Sequence, residues 1–338
     1  MSDNVCPNCG KKHRWYEVKK IDPITKKQIC RNCNTPLHSN DGKPEALQEI
    51  LDSSSSRDSD IKRLAIDIIA SFNQMRQNQK VITNPSIPII YFGDYVQYQK
   101  SYPKVITVSL NPSHNEFPQN SRFTRFKEAE KLNVSSTLNE NEIITYLNSL
   151  NNYFKENPNN LFDSYNPILE GINTSFYPNT AGNNTLHTVL CSPFATDIKW
   201  SKLRNSTQYS FSREGRKFWH RLIEILEPDM ILFSIAREYL ERVMFKKSGW
   251  KIFTSITKKK DGSTRSKPYN IKITESKSNS KKMYLVYGQP AYLPFGSISK
   301  NIKLQLGEDF YSLLTRSRLR VPNTPYTSLN TYKMKDYD

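Results

Sequence analysis

Short apolar segments alternate with amphipathic helical segments from residue 61 to residue 316, and this alternation restricts the fold more than any other feature of the chain. One helical face is formed by Ile61, Leu64, Ala65, Ile68, Ile69, Phe72 and Met75. Strands are predicted at 87–92, 105–110, 230–235 and 283–287, and helices at 142–154, 213–226, 238–245 and 298–314. This pattern predicts an α/β domain with a mainly parallel central sheet.

Two Cys-x2-Cys pairs precede this domain. Cys6 and Cys9 form the first pair, and Cys30 and Cys33 form the second. Two residues between the thiolates let one tight turn direct both sulfurs at a metal, and two such pairs are typical of a zinc ribbon. A domain of about 35 residues has too small a core to fold alone, so a structural Zn²⁺ would stabilise it. We predict a zinc ribbon at 1–38, with a short hairpin around residues 22–23, and a polar linker at 39–60.

The composition is that of a folded protein with a polyanionic partner. Of the 338 residues, 36% are hydrophobic and 24% are charged, which excludes disorder along the whole length. The 49 Lys and Arg residues exceed the 32 Asp and Glu residues, and the net charge of +17 favours binding to nucleic acid.

The cysteines and the apolar runs bear on the compartment. Four of the five cysteines lie in the two metal-type pairs rather than in a disulfide scaffold, which indicates a reducing compartment. The N-terminus lacks a secretory-signal pattern, and no run approaches the ~18 apolar residues of a membrane span. We therefore expect a cytoplasmic protein, prokaryotic or nucleoid-associated, without a membrane partner.

One segment, 246–282, carries much of the positive charge. Its twelve basic residues against two acidic residues give a net charge of +10. As an insertion between two strands it is predicted to form a mobile basic flap or hairpin. Both a solvated loop and a phosphate-contacting arm fit this composition. The candidates for DNA contact are Lys258, Lys259, Lys260, Arg265 and Lys267.

The predicted strand 105–110 ends in a polar turn that contains proline. The turn begins Asn111-Pro112-Ser113-His114, and ligands bind outside the carboxyl ends of strands in open α/β sheets. Three further segments follow in order: Leu-His-Thr-Val-Leu-Cys within 186–200, the strand 229–235, and Ala-Tyr-Leu-Pro-Phe-Gly within 285–297. Together with the Asn-Pro-Ser turn, this order resembles the uracil-DNA glycosylase superfamily over residues 61–316. It looks closest to members whose first motif is a hydrophobic strand followed by Asn-Pro and a small residue.

The resemblance implies a three-layer α/β/α fold and a monofunctional DNA glycosylase. Such an enzyme flips a base out of double-stranded DNA and hydrolyses its N-glycosidic bond to leave an abasic site. Asn111 matches the first-motif residue that orients the hydrolytic water. Because an amide takes no proton near pH 7, Asn111 would position water rather than act as a strong base. Positioning suffices if the sugar departs as an oxocarbenium-like cation, and no catalytic cofactor is implied.

Other residues are candidates for the same pocket. Glu116 and His187 are candidate catalytic groups, although a turn-stabilising carboxylate and a structural histidine fit the sequence equally well. Phe123 lies where the family stacks an aromatic ring on the flipped base, and the Leu-Pro-Phe turn at 293–295 would fill the vacated stack. The candidate base-binding residues are Pro112, Ser113, His114, Phe123, Tyr292 and Phe295.

Departures from the family pattern bear on the substrate. Ser113 is small where many members carry a Tyr that excludes C5 substituents, Val189 cannot hydrogen-bond a base edge, and the last motif has no His. These changes argue against uracil and favour a larger or different base, for which a C5-modified cytosine is a candidate. Glucosylated hydroxymethylcytosine in phage DNA, which some superfamily members attack in antiviral defence, is a candidate.

Two alternatives remain open: a uracil-DNA repair glycosylase, and a non-catalytic zinc-ribbon module that recognises modified DNA. A zinc nuclease is disfavoured because four thiolates leave no open coordination position. We expect a monomer in which residues 317–338 form a tail.

Overall fold

The computed structural model describes residues 4–5, 12–13, 20–21, 28–29, 45–134, 137–156, 158–177, 182–245, 247–278 and 281–318, with side chains between residues 56 and 316. It divides into two compact units, Met1–Ser59 and Asp60–Asp338.

The first unit contains two antiparallel strand pairs. Strands β1 (Asn4–Val5) and β2 (Lys12–His13) pair, as do β3 (Lys20–Ile21) and β4 (Gln28–Ile29). The second pair flanks the hairpin that the sequence predicts around residues 22–23. Cys6, Cys9, Cys30 and Cys33 lie outside the described residues, so the zinc ribbon stays a prediction.

Helix α1 (Glu45–Asn78) occupies most of the predicted linker. Residues 45–60 are therefore helical rather than an irregular polar connection. The segment opens with Glu-Ala-Leu-Gln-Glu-Ile-Leu, and the helix propensity of these residues outweighs that of the four serines that follow. The predicted apolar face is confirmed farther along the helix, where Leu64 and Phe72 are fully buried.

A seven-stranded mixed sheet organises the second unit. Its strands are β5 (Tyr91–Phe92), β6 (Val105–Ser109), β7 (Leu186–Val189), β8 (Met230–Phe233), β9 (Lys251–Lys258), β10 (Thr264–Ser278) and β11 (Lys281–Tyr287). Their order is β5-β7-β6-β8-β11-β10-β9. The central strands β7, β6, β8 and β11 are parallel, and the other three pairings are antiparallel. The predicted α/β class with a parallel centre is confirmed.

Helices cover both faces of this sheet. They are α2 (Tyr95–Lys100), α3 (Glu140–Asn151), α4 (Asn166–Gly171), α5 (Asn205–Leu226), α6 (Arg237–Glu241) and α7 (Lys300–Arg318). Thr188 on β7 accepts a hydrogen bond from Trp219 of α5. Its neighbour His187 packs instead against Tyr165, which precedes α4. Successive strand residues point to opposite faces, so α5 and α4 lie on opposite sides of the sheet.

Tight packing joins α4 to α7. A Cβ atom at Gly307 of α7 would lie 2.2 Å from the carbonyl oxygen of Ile168 in α4, so only glycine fits this crossing. Helix α7 is thereby fixed close to the segment that carries Tyr165.

The structure shortens or extends several predicted elements. Only Tyr91–Phe92 of the predicted strand 87–92 pairs in the sheet, helix α6 ends at Glu241, and α5 begins eight residues early, at Asn205. The basic insertion forms the antiparallel strands β9 and β10, so the predicted hairpin is confirmed, and it belongs to the sheet rather than forming a mobile flap. Burial of Tyr269 and Ile271 on β10 explains its attachment, because apolar positions along this strand face the core.

Candidate active site

The four parallel strands end at one edge of the sheet. Ser109 pairs with Val189, Val108 with Phe233, and Phe233 with Tyr287, so β6, β7, β8 and β11 stop side by side. The segments that follow these strands contain the turn at Asn111, the stretch 190–200, Ser234 and the loop 288–299. The motifs that the sequence singles out are therefore brought to a common edge.

The side-chain amide of Asn111 is held in one orientation. Its Nδ2 atom donates to the carbonyl of Pro112 over 2.9 Å and to Thr196 Oγ1 over 3.1 Å. The Thr196 hydroxyl in turn donates to the carbonyl of Ile198 over 2.8 Å. Both amide protons are used, and within the described residues Oδ1 makes no hydrogen bond. Asn111 thus presents a fixed acceptor at the carboxyl edge.

The neighbouring turn residues have different surroundings. Pro112 is buried, whereas Ser113 is exposed and its hydroxyl accepts a hydrogen bond from the backbone N–H of Asn115. Ser113 also forms a bridge with Thr196, which ties this turn to the segment after β7. His114 is partly exposed in the 3₁₀ turn His114–Glu116.

Glu116 is a buried anchor of this turn. Tyr153 donates to its Oε2 over 2.6 Å, Asn159 donates to its Oε1 over 3.1 Å, and Arg125 Nε lies 4.0 Å from Oε2. Burial raises the pKa of the carboxyl group, and these three partners oppose the rise. Both oxygens already have donors and Glu116 is 4% exposed, so this predicted catalytic group has the contacts of a positioning residue.

His187 lies between two hydroxyl groups of β6. Its Nδ1 is 2.7 Å from Thr107 Oγ1, and its Nε2 is 2.9 Å from Ser109 Oγ. Phe92, Phe162 and Tyr165 surround the ring, with centroid distances between 4.9 and 6.2 Å. Burial lowers the pKa of His187 to about 3, so the imidazole is neutral at physiological pH. A neutral ring that is hydrogen-bonded through both nitrogens can orient the two hydroxyl groups, but it carries no ionic charge.

Phe123 is half-buried at the margin of an aromatic cluster. Its ring packs edge-on against Phe117, with centroids 6.0 Å apart, and Phe117 stacks on Phe126. The cluster fixes one side of the Phe123 ring. The base-stacking role that the resemblance implies for Phe123 stays a prediction.

The loop after β11 separates its two aromatic candidates. Tyr292 is 99% exposed, whereas Phe295 is 0% exposed and packs against Tyr165. A Cβ atom at Gly288 would lie 2.3 Å from the Phe295 ring, so glycine makes room for that ring. Phe295 is therefore a core residue that holds the loop rather than part of a base-contacting surface, and Tyr292 projects from it.

Four contacts fix the backbone of this loop. Tyr269 donates to the carbonyl of Gln289 over 2.7 Å, and the backbone N–H of Phe295 donates to Ser234 Oγ over 3.1 Å. Ser164 donates to the carbonyl of Pro294, and Arg265 donates to the carbonyl of Ser297. The exposed Tyr292 thus stands on a braced loop.

The basic hairpin projects past the same edge. Lys272 of β10 pairs with Tyr287, the last residue of β11, so residues 264–271 extend beyond the carboxyl ends of the parallel strands. Eight strand residues span up to about 25 Å. Lys258, Lys259, Lys260 and Lys267 are exposed and form no ion pair within the described part of the chain. Arg265 is only half-exposed and lies over the Tyr269 ring, so it differs from the four lysines.

One buried lysine carries no signal in the sequence. Lys303 of α7 is 6% exposed, and its Nζ donates to the carbonyl of Ser164 over 2.6 Å and to the Ser164 hydroxyl over 3.0 Å. Burial, with a smaller effect of Lys260, lowers its pKa to about 8. Because Ser164 also contacts Pro294, Lys303 supports the loop that carries Tyr292.

Comparisons with known proteins do not assign a function to this chain. No protein-family model, no curated protein and no solved structure matches it. Among the described residues, no helix has the length and apolar composition of a membrane span, and no three His, Cys, Asp or Glu side chains cluster as metal ligands.

Proposed function

We propose that the protein is a monofunctional DNA glycosylase that hydrolyses the N-glycosidic bond of a flipped, modified pyrimidine. The observation that carries the proposal is the Asn111 amide, whose two protons are bonded inward while its carbonyl oxygen remains available at the carboxyl edge of the sheet. A carbonyl oxygen in this position accepts a hydrogen bond from a water molecule and aims that water at a bound sugar.

The expected reaction needs little proton transfer from the protein. The N-glycosidic bond breaks, the base leaves with the bonding electrons, and the oxygen of water bonds to C1′ of the sugar. The proton released by the water passes to solvent, and the base anion gains a proton from solvent. Asn111 contributes orientation, and the fixed dipoles of the edge contribute electrostatic stabilisation of the cationic sugar.

The surroundings of Asn111 support a DNA substrate. The exposed amines of Lys258, Lys259, Lys260 and Lys267 suit contacts with phosphates, and the exposed ring of Tyr292 suits insertion into the base stack. The braced loop favours insertion because little order has to be gained on binding. Double-stranded DNA is accordingly the proposed partner.

Ser113 favours a base with a substituent at C5. Its side chain is small and exposed, so it adds little bulk to the turn that carries Asn111. We infer a C5-modified cytosine, with glucosylated hydroxymethylcytosine of phage DNA as one candidate and uracil as the alternative. The four cysteine thiolates suit a structural Zn²⁺ in the first unit, and a monomeric, cytoplasmic protein remains our proposal.

Excision of a base from a defined duplex tests this function. Duplexes that carry uracil, hydroxymethylcytosine or glucosylated hydroxymethylcytosine are incubated with the protein and then treated with alkali, which cleaves at abasic sites. We expect strand breaks at one modified base, loss of these breaks in Asn111→Ala, and retention in Asn115→Ala, a matched exposed asparagine of the same turn. Binding without abasic sites on any duplex would contradict catalysis and favour a non-catalytic DNA-binding module.

A further inference from the structure

We infer that Ser109 is a base-binding residue whose hydroxyl donates a hydrogen bond to an acceptor atom of the bound base. This inference rests on the proposed function and adds a residue that the family resemblance does not supply. It follows from assigning the donor and the acceptor of each hydrogen bond among Thr107, His187 and Ser109, which form one hydrogen-bonded row across β6 and β7.

The row contains one neutral ring with a single N–H. If that proton is on Nδ1, it is donated to Thr107 Oγ1, and the Thr107 hydroxyl must find another acceptor. Thr107 is 0% exposed, and its Oγ1 has no hydrogen-bond partner other than His187 among the described residues. This tautomer therefore leaves a buried hydroxyl proton without an acceptor, which is costly.

The opposite tautomer satisfies every buried group. Thr107 donates to Nδ1, the proton resides on Nε2, and Nε2–H donates to Ser109 Oγ. The Ser109 hydroxyl then accepts from His187, and its own proton is free to be donated elsewhere. The contacts of both nitrogens with hydroxyl groups fix the orientation of the ring, because a half-turn about Cβ–Cγ would place ring carbons where Nδ1 and Nε2 lie, and Phe92 and Phe162 pack against it.

Ser109 lies where a ligand at the carboxyl edge can accept this proton. Ser109 is the last residue of β6 and lies two positions before Asn111. It is partly exposed, whereas Thr107 and His187 are buried. A ligand at the edge therefore meets the hydroxyl of Ser109 as a donor. Every pyrimidine carries a carbonyl oxygen at C2, so the base class proposed above supplies the required acceptor.

Nitrogen-15 NMR of the histidine-labelled full-length protein tests directly which nitrogen of His187 carries the proton. The His187 signals are assigned by their loss in His187→Asn. We expect the Nε2–H tautomer, unchanged between pH 5 and pH 8. A proton on Nδ1 would overturn the inference, whatever the activity of the protein.

A binding experiment tests the contact with the base. One duplex contains a thymine·guanine mismatch. In the second, thymine is replaced by 2,4-difluorotoluene, which keeps its shape but lacks its carbonyl acceptors. We expect the wild-type protein to bind the first duplex about tenfold more tightly, which matches the usual value of one hydrogen bond.

The variants separate the possible outcomes. We expect Ser109→Ala to abolish the preference, whereas Ser206→Ala, an exposed serine of α5, retains it. Absence of a preference in the wild-type protein, or a preference that survives in Ser109→Ala, would overturn the inference. Failure to excise any base would contradict the proposed catalytic function, but the binding experiment would still measure the contact between Ser109 and the base.

Discussion

The amide nitrogen of Asn111 donates a hydrogen bond to the hydroxyl of Thr196 over 3.1 Å, and the Thr196 hydroxyl donates a hydrogen bond to the carbonyl of Ile198 over 2.8 Å. Thr196 therefore has a defined polarity: it accepts from Asn111 because its own proton is already donated. This relay fixes which end of the amide faces the outside of the turn.

Asn111→Asp is expected to disrupt the turn rather than to improve catalysis. A carboxylate oxygen would replace Nδ2 and face the carbonyl of Pro112, with no proton between the two acceptors. We expect a loss of about 1–3 kcal/mol in the free energy of unfolding, measured by urea denaturation, and loss of base excision. Thr196→Val, which removes the acceptor, should reduce excision, and Thr196→Ser should preserve it. Excision that survives in Thr196→Val would show that the relay does not orient Asn111.

The sequence predicts the placement of Asn111 well, because few physical rules decide it. Buried parallel strands read as continuous apolar runs, and their carboxyl ends meet at one edge. The apolar face of α1 can be predicted equally well from the sequence, because Leu64 and Phe72 are buried where a period of 3.6 residues places them.

Residues outside regular periodicity are harder to predict. Phe295 and Tyr292 lie three positions apart in one loop, yet the first is 0% exposed and the second 99% exposed. Loop residues follow no repeating pattern, so the sequence does not distinguish a core anchor from a projecting ring. Ser109 and His187 are 78 positions apart, and the polar row they form exists only once β6 and β7 pair.

Glu116 should make stability depend on pH. Burial raises its folded-state pKa above the ordinary value of 4.5, so the ionised carboxylate costs folding free energy. Its stabilising contribution is fully present below pH 4.5 and is lost as the pH rises through the raised pKa. We expect the stability of wild type relative to Glu116→Gln to fall over that interval, measured by urea unfolding between pH 4 and pH 7. A difference that stays constant, as expected for the exposed Glu130→Gln, would contradict this account.

The exposed lysines of the hairpin should set the salt dependence of DNA binding. The double variant Lys259→Gln/Lys260→Gln removes two candidate phosphate contacts, and each contact contributes about 0.9 to the slope of log K against log salt. We expect the slope to fall by about 2. Arg213→Gln/Lys217→Gln is a matched control, because both cations pair with Glu214 on α5. Equal slopes for the two double variants would show that the hairpin is only a solvated basic surface.

Lys303 should give the opposite pH dependence to Glu116. Burial lowers its folded-state pKa from 10.5 to about 8, so the folded state favours the neutral amine. Its stabilising contribution is present above pH 10.5 and is lost as the pH falls through about 8. The stability of wild type relative to Lys303→Met should therefore rise between pH 8 and pH 10, followed by chemical denaturation. Lys300→Met, an exposed control on the same helix, should show no such rise.

Arg265 is expected to hold the Tyr292 loop rather than to bind phosphate. Its guanidinium donates to the carbonyls of Lys258 and Ser297 and lies 5.7 Å from the centroid of the Tyr269 ring. Lysine lacks the planar fork that makes these contacts together, so Arg265→Lys should loosen the loop while preserving the charge. We expect hydrogen exchange at the amides of Gly296 and Ile298 to accelerate about fivefold, consistent with a loss of about 1 kcal/mol. Lys267→Ala should leave both amides unchanged. Unchanged exchange in Arg265→Lys would mean that the remaining contacts brace the loop without Arg265, and a phosphate role for this residue would then be the better explanation of its place on the hairpin.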